Sequence, residues 1–581
     1  MTGLDGSDVV QCLKEKKTLY HVSEGTGISC TGAVRWRGVY VFMRMKVSDY
    51  IARKLVDEGI SDVFMVTGGG AMHLDDGLGH EPGLHCTFNH HEQACAIAAE
   101  CYARIHNKIA AVCVTTGPGG TNAITGVVGG WLDSIPMLIL SGQVRYDTTA
   151  RSTGLGIRAL GDQEFEITKA IDCMTKYCEM VIDPMRIRFC LEKALYLAQT
   201  GRPGPCWLDI PLNVQGAYVE TEELLGFDKN DYEAGGTGWS VHGSGCDGCG
   251  LCAGKLIQGK PAMIPEDEAG KGEKRELLPP SVSLDLAREI VKKVREAKRP
   301  VINAGNGIRI GKAFDVFQRV VEMLGIPVVT GWNSLDCMYD SHPLYVGRAG
   351  HMGDRPGNFA VQNCDLLLSL GSRLSIRQVG YNYPTWAREA YVIYNDIDAE
   401  ELKKPTVHVD MPVHADVKDL LEKMEMVLEV EAVSADGGPK DKEAVDWWIS
   451  RCQQWKEKYP VVLPKHYEAG EDQPANIYAA IKEISRRAEE DQITVVGNGS
   501  PCVVGGHAYE MKKGQRFISN SAIASMGYDL PAAIGACLAD HTKDIILVTG
   551  DGSIQMNLQE LQTIIHNHLP IKIFLINNGG Y

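Results

Sequence analysis

Asp551 and Asn578 carry hard oxygen donors, and the segments around them predict that both stand at one edge of a sheet. Ile545 to Thr549 is a short apolar run that breaks at Gly550-Asp551-Gly552-Ser553, and Ile571 to Ile576 is a second run ending in Asn577-Asn578. Between them Leu558, Leu561, Ile564 and Ile565 recur at helical spacing until Pro570 stops the pattern. The whole reads as one right-handed βαβ unit with two buried parallel strands, so Asp551 and Asn578 emerge side by side at the carboxyl edge. A carboxylate and an amide oxygen there suit a Mg²⁺ that keeps further positions for phosphate oxygens. The glycines let a diphosphate approach the backbone, and amides opening the helix favour the anion. A Gly-Asp-Gly turn with no ligand is the plainer alternative.

Three other clusters carry chemistry. Glu92, in Asn89-His90-His91-Glu92-Gln93-Ala94, opens a helix expected from about His90 to Ile105. Asn89 followed by Glu92 also fits a capping box, in which the carboxylate serves only the helix start. Val495-Val496-Gly497-Asn498-Gly499-Ser500 has the strand-turn form of a phosphate-contacting edge. Cys246, Cys249 and Cys252 form CxxCxxC, which resembles the start of a bacterial ferredoxin loop. An iron-sulfur cluster there would need a distant ligand or an open iron, a zinc ion would need a distant Cys or His, and a Cys-rich surface loop is the alternative.

The elements that position these residues repeat along 581 residues. From Val47 to about Pro211 helical and strand patterns alternate, with strands at Val63–Val66, Cys86–Phe88, Ala110–Thr115 and Pro136–Leu140, as a parallel sheet covered on both faces requires. A third α/β unit spans Leu284 to Leu428, with strands at 301–304, 327–330, 366–370 and 391–394. Gly305-Asn306-Gly307 hints at a dinucleotide turn there, and Arg373, Arg377, Asp396 and Asp398 lie just past predicted strands, where either a nucleotide or a solvated rim would fit. The expected division is an N-terminal extension over 1–44, α/β domains over 45–221, 281–432 and 474–581, a Cys-containing insert over 222–280 and a linker over 433–473. The fold class is α/β, with three doubly wound parallel sheets.

Charge and cysteines narrow the class. With 74 acidic against 58 basic residues the formal charge is −16, which argues against general binding to nucleic acid or anionic membranes. No run of 18 apolar residues predicts a membrane span. The 18 cysteines are mostly scattered inside apolar segments, as free thiols in a reducing cytoplasm would be, and the first residues lack a signal-peptide pattern.

From about Met45 to Tyr581, interrupted by 222–280, the chain resembles the thiamine diphosphate (ThDP)-dependent acetolactate synthase family. The resemblance rests on HHEQA at 90–94, GPGGTNA at 117–123, GRPGPCWLDIP at 201–211, SMGYDLPAAIGA at 525–536, and GDGS with NN. It implies pyrimidine-binding, middle and diphosphate-binding domains, with Mg²⁺ held by Asp551, Asn578 and the Gly580 carbonyl. Glu92 would activate the cofactor, Met526 would wedge under the thiazolium, and Gly70 would lie near the aminopyrimidine. Gly499, Gly550, Gly552 and Ser553 would line the diphosphate; Gln163 and Arg377 are the candidate substrate residues. FAD in a structural role is a further cofactor of the middle domain in this family. The implied reaction is decarboxylation of a 2-oxo acid, pyruvate, followed by transfer of the two-carbon unit to a carbonyl acceptor.

Glu92 of one subunit faces Asp551 of its neighbour in the family, so a homodimer or tetramer is implied. Asp162 stands where acetolactate synthases usually carry Phe, and stretches such as TGGGAMHL and GGWLDSIPMLILSGQV are similar to a subgroup that adds an acetyl unit to nucleotide keto-sugars. Family chains continue past the NN motif, so the resemblance implies a last domain truncated at Tyr581. A simple 2-oxo acid decarboxylase, an inactive cofactor-binding fragment and a redox-linked binding module using Cys246 are the other readings.

Overall fold

The computed structural model describes residues 20–24, 34–36, 39–240, 276–432, 438–468, 470 and 473–580. Packing divides the chain into two units. One comprises Met1–Ala99, Ile109–Trp131 and Pro136–Arg275; the other comprises Glu100–Lys108, Leu132–Ile135 and Glu276–Tyr581.

The first unit holds a six-stranded parallel sheet ordered His85–Phe88, Asp62–Met65, Ala110–Val114, Met137–Gln143, Pro205–Pro211 and Tyr177–Met180. Its central strands are buried on both faces, which is why they read as unbroken apolar runs rather than alternating ones. The helix Val47–Asp57 covers one face through Val47, Ile51, Ala52 and Leu55, the three larger side chains each contributing about 1.5–3 kcal/mol by leaving water.

The second unit holds two parallel sheets. Six strands run in the order Tyr345–Arg348, Val328–Thr330, Pro300–Ala304, Leu366–Leu370, Tyr391–Asp396 and Met411–His414. By sequence this is 3-2-1-4-5-6, so the order reverses between Pro300–Ala304 and Leu366–Leu370, and a crevice for ligand is expected beyond those two strand ends. Four strands form the last sheet, Arg516–Ser519, Ile493–Val496, Ile545–Gly550 and Ile571–Ile576, all parallel as the βαβ reading requires.

Four expectations need correction. Ile571–Ile576, expected to be buried, is the edge strand: Ile573, Phe574 and Leu575 are exposed, and only its ends are covered, Ile576 packing against the core of this sheet. The expected extension carries strands at Tyr20–Glu24, Val34–Trp36 and Val39–Lys46, the last crossing the 44/45 limit to pair with Tyr218–Glu220. Its VYVF run shows no alternation because every residue is apolar. Within the expected insert, Gly226–Phe227 pairs with Trp239–Ser240, and Trp239 stacks on Phe189 at 3.7 Å between ring centres. Aromatic rings hold this hairpin, which a search for aliphatics overlooks. The expected linker contains the helix Lys442–Lys458, capped by Asp441 and burying Val445, Trp448 and Cys452. The Trp448 indole donates to the Pro300 carbonyl at 3.1 Å.

Candidate functional site

In the first unit, Glu92 is the first residue of the helix Glu92–His106. The helix start is capped by His91, whose Nδ1 accepts the Gln93 N–H at 3.1 Å. Half-buried Glu92 therefore takes no part in a capping box; its Oε2 accepts a hydrogen bond from Asn122 Nδ2 at 3.0 Å. Asn122 belongs to GPGGTNA and lies 30 residues away in sequence, a pairing that only the folded sheet reveals. Gly70 is buried in the short turn Gly69–Ala71; its N–H donates to Thr115 Oγ1 at 3.1 Å and its carbonyl accepts from Gln215 Nε2 at 2.8 Å. Asp75, which sequence reasoning passed over, holds the same glycine turn by accepting the Gly68 N–H at 3.1 Å. Gln163 is exposed and sits at φ 61°, left-handed backbone that a non-glycine residue adopts only when its surroundings impose it.

In the second unit, the neighbouring strands Ile493–Val496 and Ile545–Gly550 deliver two turns to one sheet edge. Gly499 stands exposed at φ 87°, the residue before the helix Ser500–Ala508. Asp551–Ile554 is a single helical turn, followed by the tighter turn Gln555–Asn557 and the helix Glu560–His566, so the dipole expected at Asp551 is that of one turn. Asp551 Oδ2 accepts from the Gly579 and Gly580 N–H groups at 3.0 and 3.1 Å, and Oδ1 from Gly552 N–H at 3.0 Å.

The Asn578 amide end lies 2.7 Å from the Gly580 carbonyl oxygen and 3.1 Å from Asp551 Oδ1. With its nitrogen turned there it donates to both; with its oxygen turned there, three oxygens converge. Adjacent ligands of an octahedral Mg²⁺ stand about 2.9 Å apart, and the two spacings from the Asn578 amide end suit that ion. Among the described residues no group of three or more His, Cys, Asp and Glu could hold a metal, and this set escapes that pattern because two donors are an amide and a carbonyl.

The Met526 loop is tied down on both sides. Asn520 Oδ1 accepts the Ala524 N–H at 3.0 Å, and Asn498 donates to the Ala524 carbonyl. Ser553 Oγ accepts the Gly527 N–H at 3.0 Å, and buried Asn557 donates to the Gly527 carbonyl at 2.7 Å. The Ser553 hydroxyl oxygen thus braces the Met526 loop. Gly527 has φ 80°, and a Cβ on it would lie 2.6 Å from Met556 Cβ and 2.9 Å from Asn557 Nδ2. Gly527→Ala is expected to cost more than about 1 kcal/mol and to displace Met526. A lowered denaturation midpoint together with weaker ThDP binding would show it; unchanged values would contradict this bracing.

Residues 45–164, 287–424 and 497–581 match the N-terminal TPP binding domain, central domain and C-terminal TPP binding domain of the thiamine pyrophosphate enzymes. The probable acetolactate synthase large subunit of Methanococcus aeolicus is 30% identical over 541 residues, covering 92% of this chain and 80% of that protein. This chain belongs to the ThDP-dependent enzymes of acetolactate synthase large-subunit type. Similar likeness is found to the acetolactate synthase large subunit of Lactococcus lactis, 30% identical over 91% of this chain and 80% of that protein. The isozyme 3 large subunit of Escherichia coli K12 is 29% identical over 91% of this chain and 82% of its own length.

The remaining sequence candidates are scattered. Arg377 lies on the short helix Ile376–Val379, its guanidinium 5.6 Å from the centre of the Trp332 ring and its carbonyl accepting the His351 N–H at 3.1 Å. Gly305 and Gly307 follow the strand Pro300–Ala304, and the Gly307 N–H donates to the Gly371 carbonyl at 2.8 Å. Cys246, Cys249 and Cys252 lie outside the described residues.

Proposed function

We propose that this ThDP enzyme is a Mg²⁺-dependent carboligase that decarboxylates pyruvate and passes the two-carbon unit to an acceptor carbonyl. The observation that carries the reading is the meeting of Asp551, Asn578 and the Gly580 carbonyl at the carboxyl edge of the last sheet. ThDP, when bound, supplies a thiazolium that accepts the electron pair released with CO₂. The chain's own residues do the rest. Asp551, Asn578 and Gly580 would hold Mg²⁺ against the diphosphate, with the Gly499 turn beside them. Glu92, steadied by Asn122, would hydrogen-bond the pyrimidine ring and manage its proton. Met526, braced by Ser553 and Asn557, would set the cofactor's bend.

A three-domain division goes with this reading, the first domain taking in the strand Val39–Lys46 and the hairpin to Trp239–Ser240 and the second the helix Lys442–Lys458, as does a homodimer or tetramer in which Glu92 serves a neighbouring subunit's cofactor. The 3-2-1-4-5-6 sheet favours a structural FAD in the middle domain near Arg373 and Arg377, as nucleotides bind at such order reversals. Asp162, charged and exposed beside Gln163, favours a polar acceptor such as a nucleotide keto-sugar as the second reading. Among the described residues no helix is long and apolar enough to cross a membrane. Buried free thiols such as Cys101, pushed up to about 12 chiefly by desolvation, fit the reducing cytoplasm.

Calorimetric titration with ThDP, with and without Mg²⁺, followed by pyruvate and a CO₂ readout, tests the reading. Mg²⁺-dependent binding with CO₂ release is the expected result. Binding without release would overturn pyruvate as donor, and binding indifferent to Mg²⁺ would overturn the metal site.

A further inference from the structure

Asp209 is a fully buried carboxylate in the strand Pro205–Pro211 for which the chemistry above has no use. We propose that Asp209 is a positioning residue: ionised, it holds Gln143 in the orientation that fixes the Gln163–Phe165 loop, and protonation releases that hold. The kinetic consequence rests on the reading that this loop lines the pyruvate site.

The proton inventory of the cluster supports it. Trp207 Nε1 donates to Ser141 Oγ at 2.7 Å, and Ser141 Oγ donates to Asp209 Oδ1 at 2.6 Å. Gln143 Nε2 donates both to Asp209 Oδ2 at 3.0 Å and to the Phe165 carbonyl at 2.9 Å. Gln143 Oε1 accepts from Thr116 Oγ1 at 2.7 Å and from Val144 N–H at 3.0 Å. Thr116 Oγ1 also lies 3.3 Å from the Gln163 carbonyl. Every donor has an acceptor only while Asp209 is ionised. A proton on Oδ2 would face the Gln143 N–H, and one on Oδ1 would displace the Ser141 proton, so either repels a partner.

Gln143 is the only side chain in this relay that touches both Asp209 and the loop backbone, and its amide is oriented by acceptors on one end and donors on the other. The loop is otherwise tied within itself and to Ala150, through Glu164, which accepts the Leu160 and Gly161 N–H groups at 2.7 and 3.3 Å and that of Ala150. The left-handed backbone of Gln163 is therefore imposed largely from below, through Gln143 and Thr116.

Burial pushes Asp209 up to about 7, against the Ser141 and Gln143 donors that favour its ionised form. The charged groups bearing on it are Glu166, which opposes ionisation, and Arg151, which favours it; the two pair with each other at 3.3 Å. The carboxylate therefore changes state where an enzyme of neutral surroundings works, and the loop would loosen as pH falls through about 7. In stability the sign is opposite. A carboxyl whose pKa is raised on folding contributes fully below its unfolded value and loses that contribution as pH rises through about 7. Holding the loop is thus done in the less stable ionisation state, as expected of a functional rather than a purely structural carboxylate.

The test uses the full chain with ThDP and Mg²⁺, comparing wild type with Asp209→Asn and Gln143→Met. Pyruvate KM of the wild type is expected to rise several-fold as pH falls through about 7, with kcat changing less. Both variants should show the raised KM at every pH, ThDP affinity near wild type, and faster deuterium exchange at the amides of residues 161–165. Should Asp209→Asn fold poorly, Gln143→Met leaves the carboxylate in place and reads the same relay. Retention of the wild-type KM profile with unchanged loop exchange in either variant would overturn the proposal. Gln163→Ala separates the underlying reading: if it leaves KM untouched while Asp209→Asn still frees the loop, the anchor stands and the loop's place at the pyruvate site falls.

Discussion

Replacing Glu92 with Gln is expected to cut turnover by on the order of 10²–10⁴-fold while leaving ThDP affinity nearly unchanged. The substitution keeps the shape of the side chain and an oxygen that can still accept from Asn122, which donates to Glu92 at 3.0 Å. It removes the only group at this position able to share a proton with the cofactor's pyrimidine ring. On the proposed reading the diphosphate end supplies most of the binding energy and Glu92 acts at the pyrimidine, so affinity and turnover should separate cleanly. The rate at which the C2 proton of bound ThDP exchanges with deuterium should fall with turnover, because activation precedes any encounter with pyruvate. Full product formation by the Gln variant would sink the role assigned to Glu92. A companion change, Asn122→Ala, should lower turnover by a smaller factor, since it frees the carboxylate without removing it.

What could be read from the sequence depended on the range over which each signal acts. Asp551 and Asn578 were legible because strand, turn, helix and strand between Ile545 and Asn578 are all local, and parallel pairing then forces the two strand ends together. The central strands of each sheet were legible for the same reason, as short apolar runs bounded by glycine. Trp448 and Trp239 show where the reading ran out: one indole or one stacked ring can anchor a segment that composition marks as a linker. The buried reading of Ile571–Ile576 failed because burial belongs to the neighbours of a strand and not to its residues. Asn122, Asn557 and Gln143 act across 22 to 66 residues, so their partners could be identified only once the sheets were assembled. His91 is the exception, a cap two residues from its partner that the Asn89–Glu92 pattern obscured.

Asp551→Asn is expected to weaken ThDP binding in the presence of Mg²⁺ by at least about thirtyfold, the lower end of what losing one member of a desolvated charge pair costs. In the absence of any ligand the same change should destabilise the turn Asn577–Gly580 only modestly, by about 1 kcal/mol. The carboxylate accepts from Gly579, Gly580 and Gly552, and an Asn oxygen can retain part of that set. A purely structural Asp551 would show the loss of apo stability with little change in affinity. Measuring the denaturation midpoint without ligand and the ThDP dissociation constant with Mg²⁺ on one preparation therefore decides the matter. Asn578→Leu sharpens it, because it removes an amide that touches Asp551 and Gly580 while leaving the charge in place. Its effect on affinity should be smaller than that of Asp551→Asn and should shrink further when Mg²⁺ is withheld. An Asn578→Leu chain that binds ThDP as tightly as wild type at limiting Mg²⁺ would remove Asn578 from the metal's ligands and leave Asp551 to act on the diphosphate loop alone.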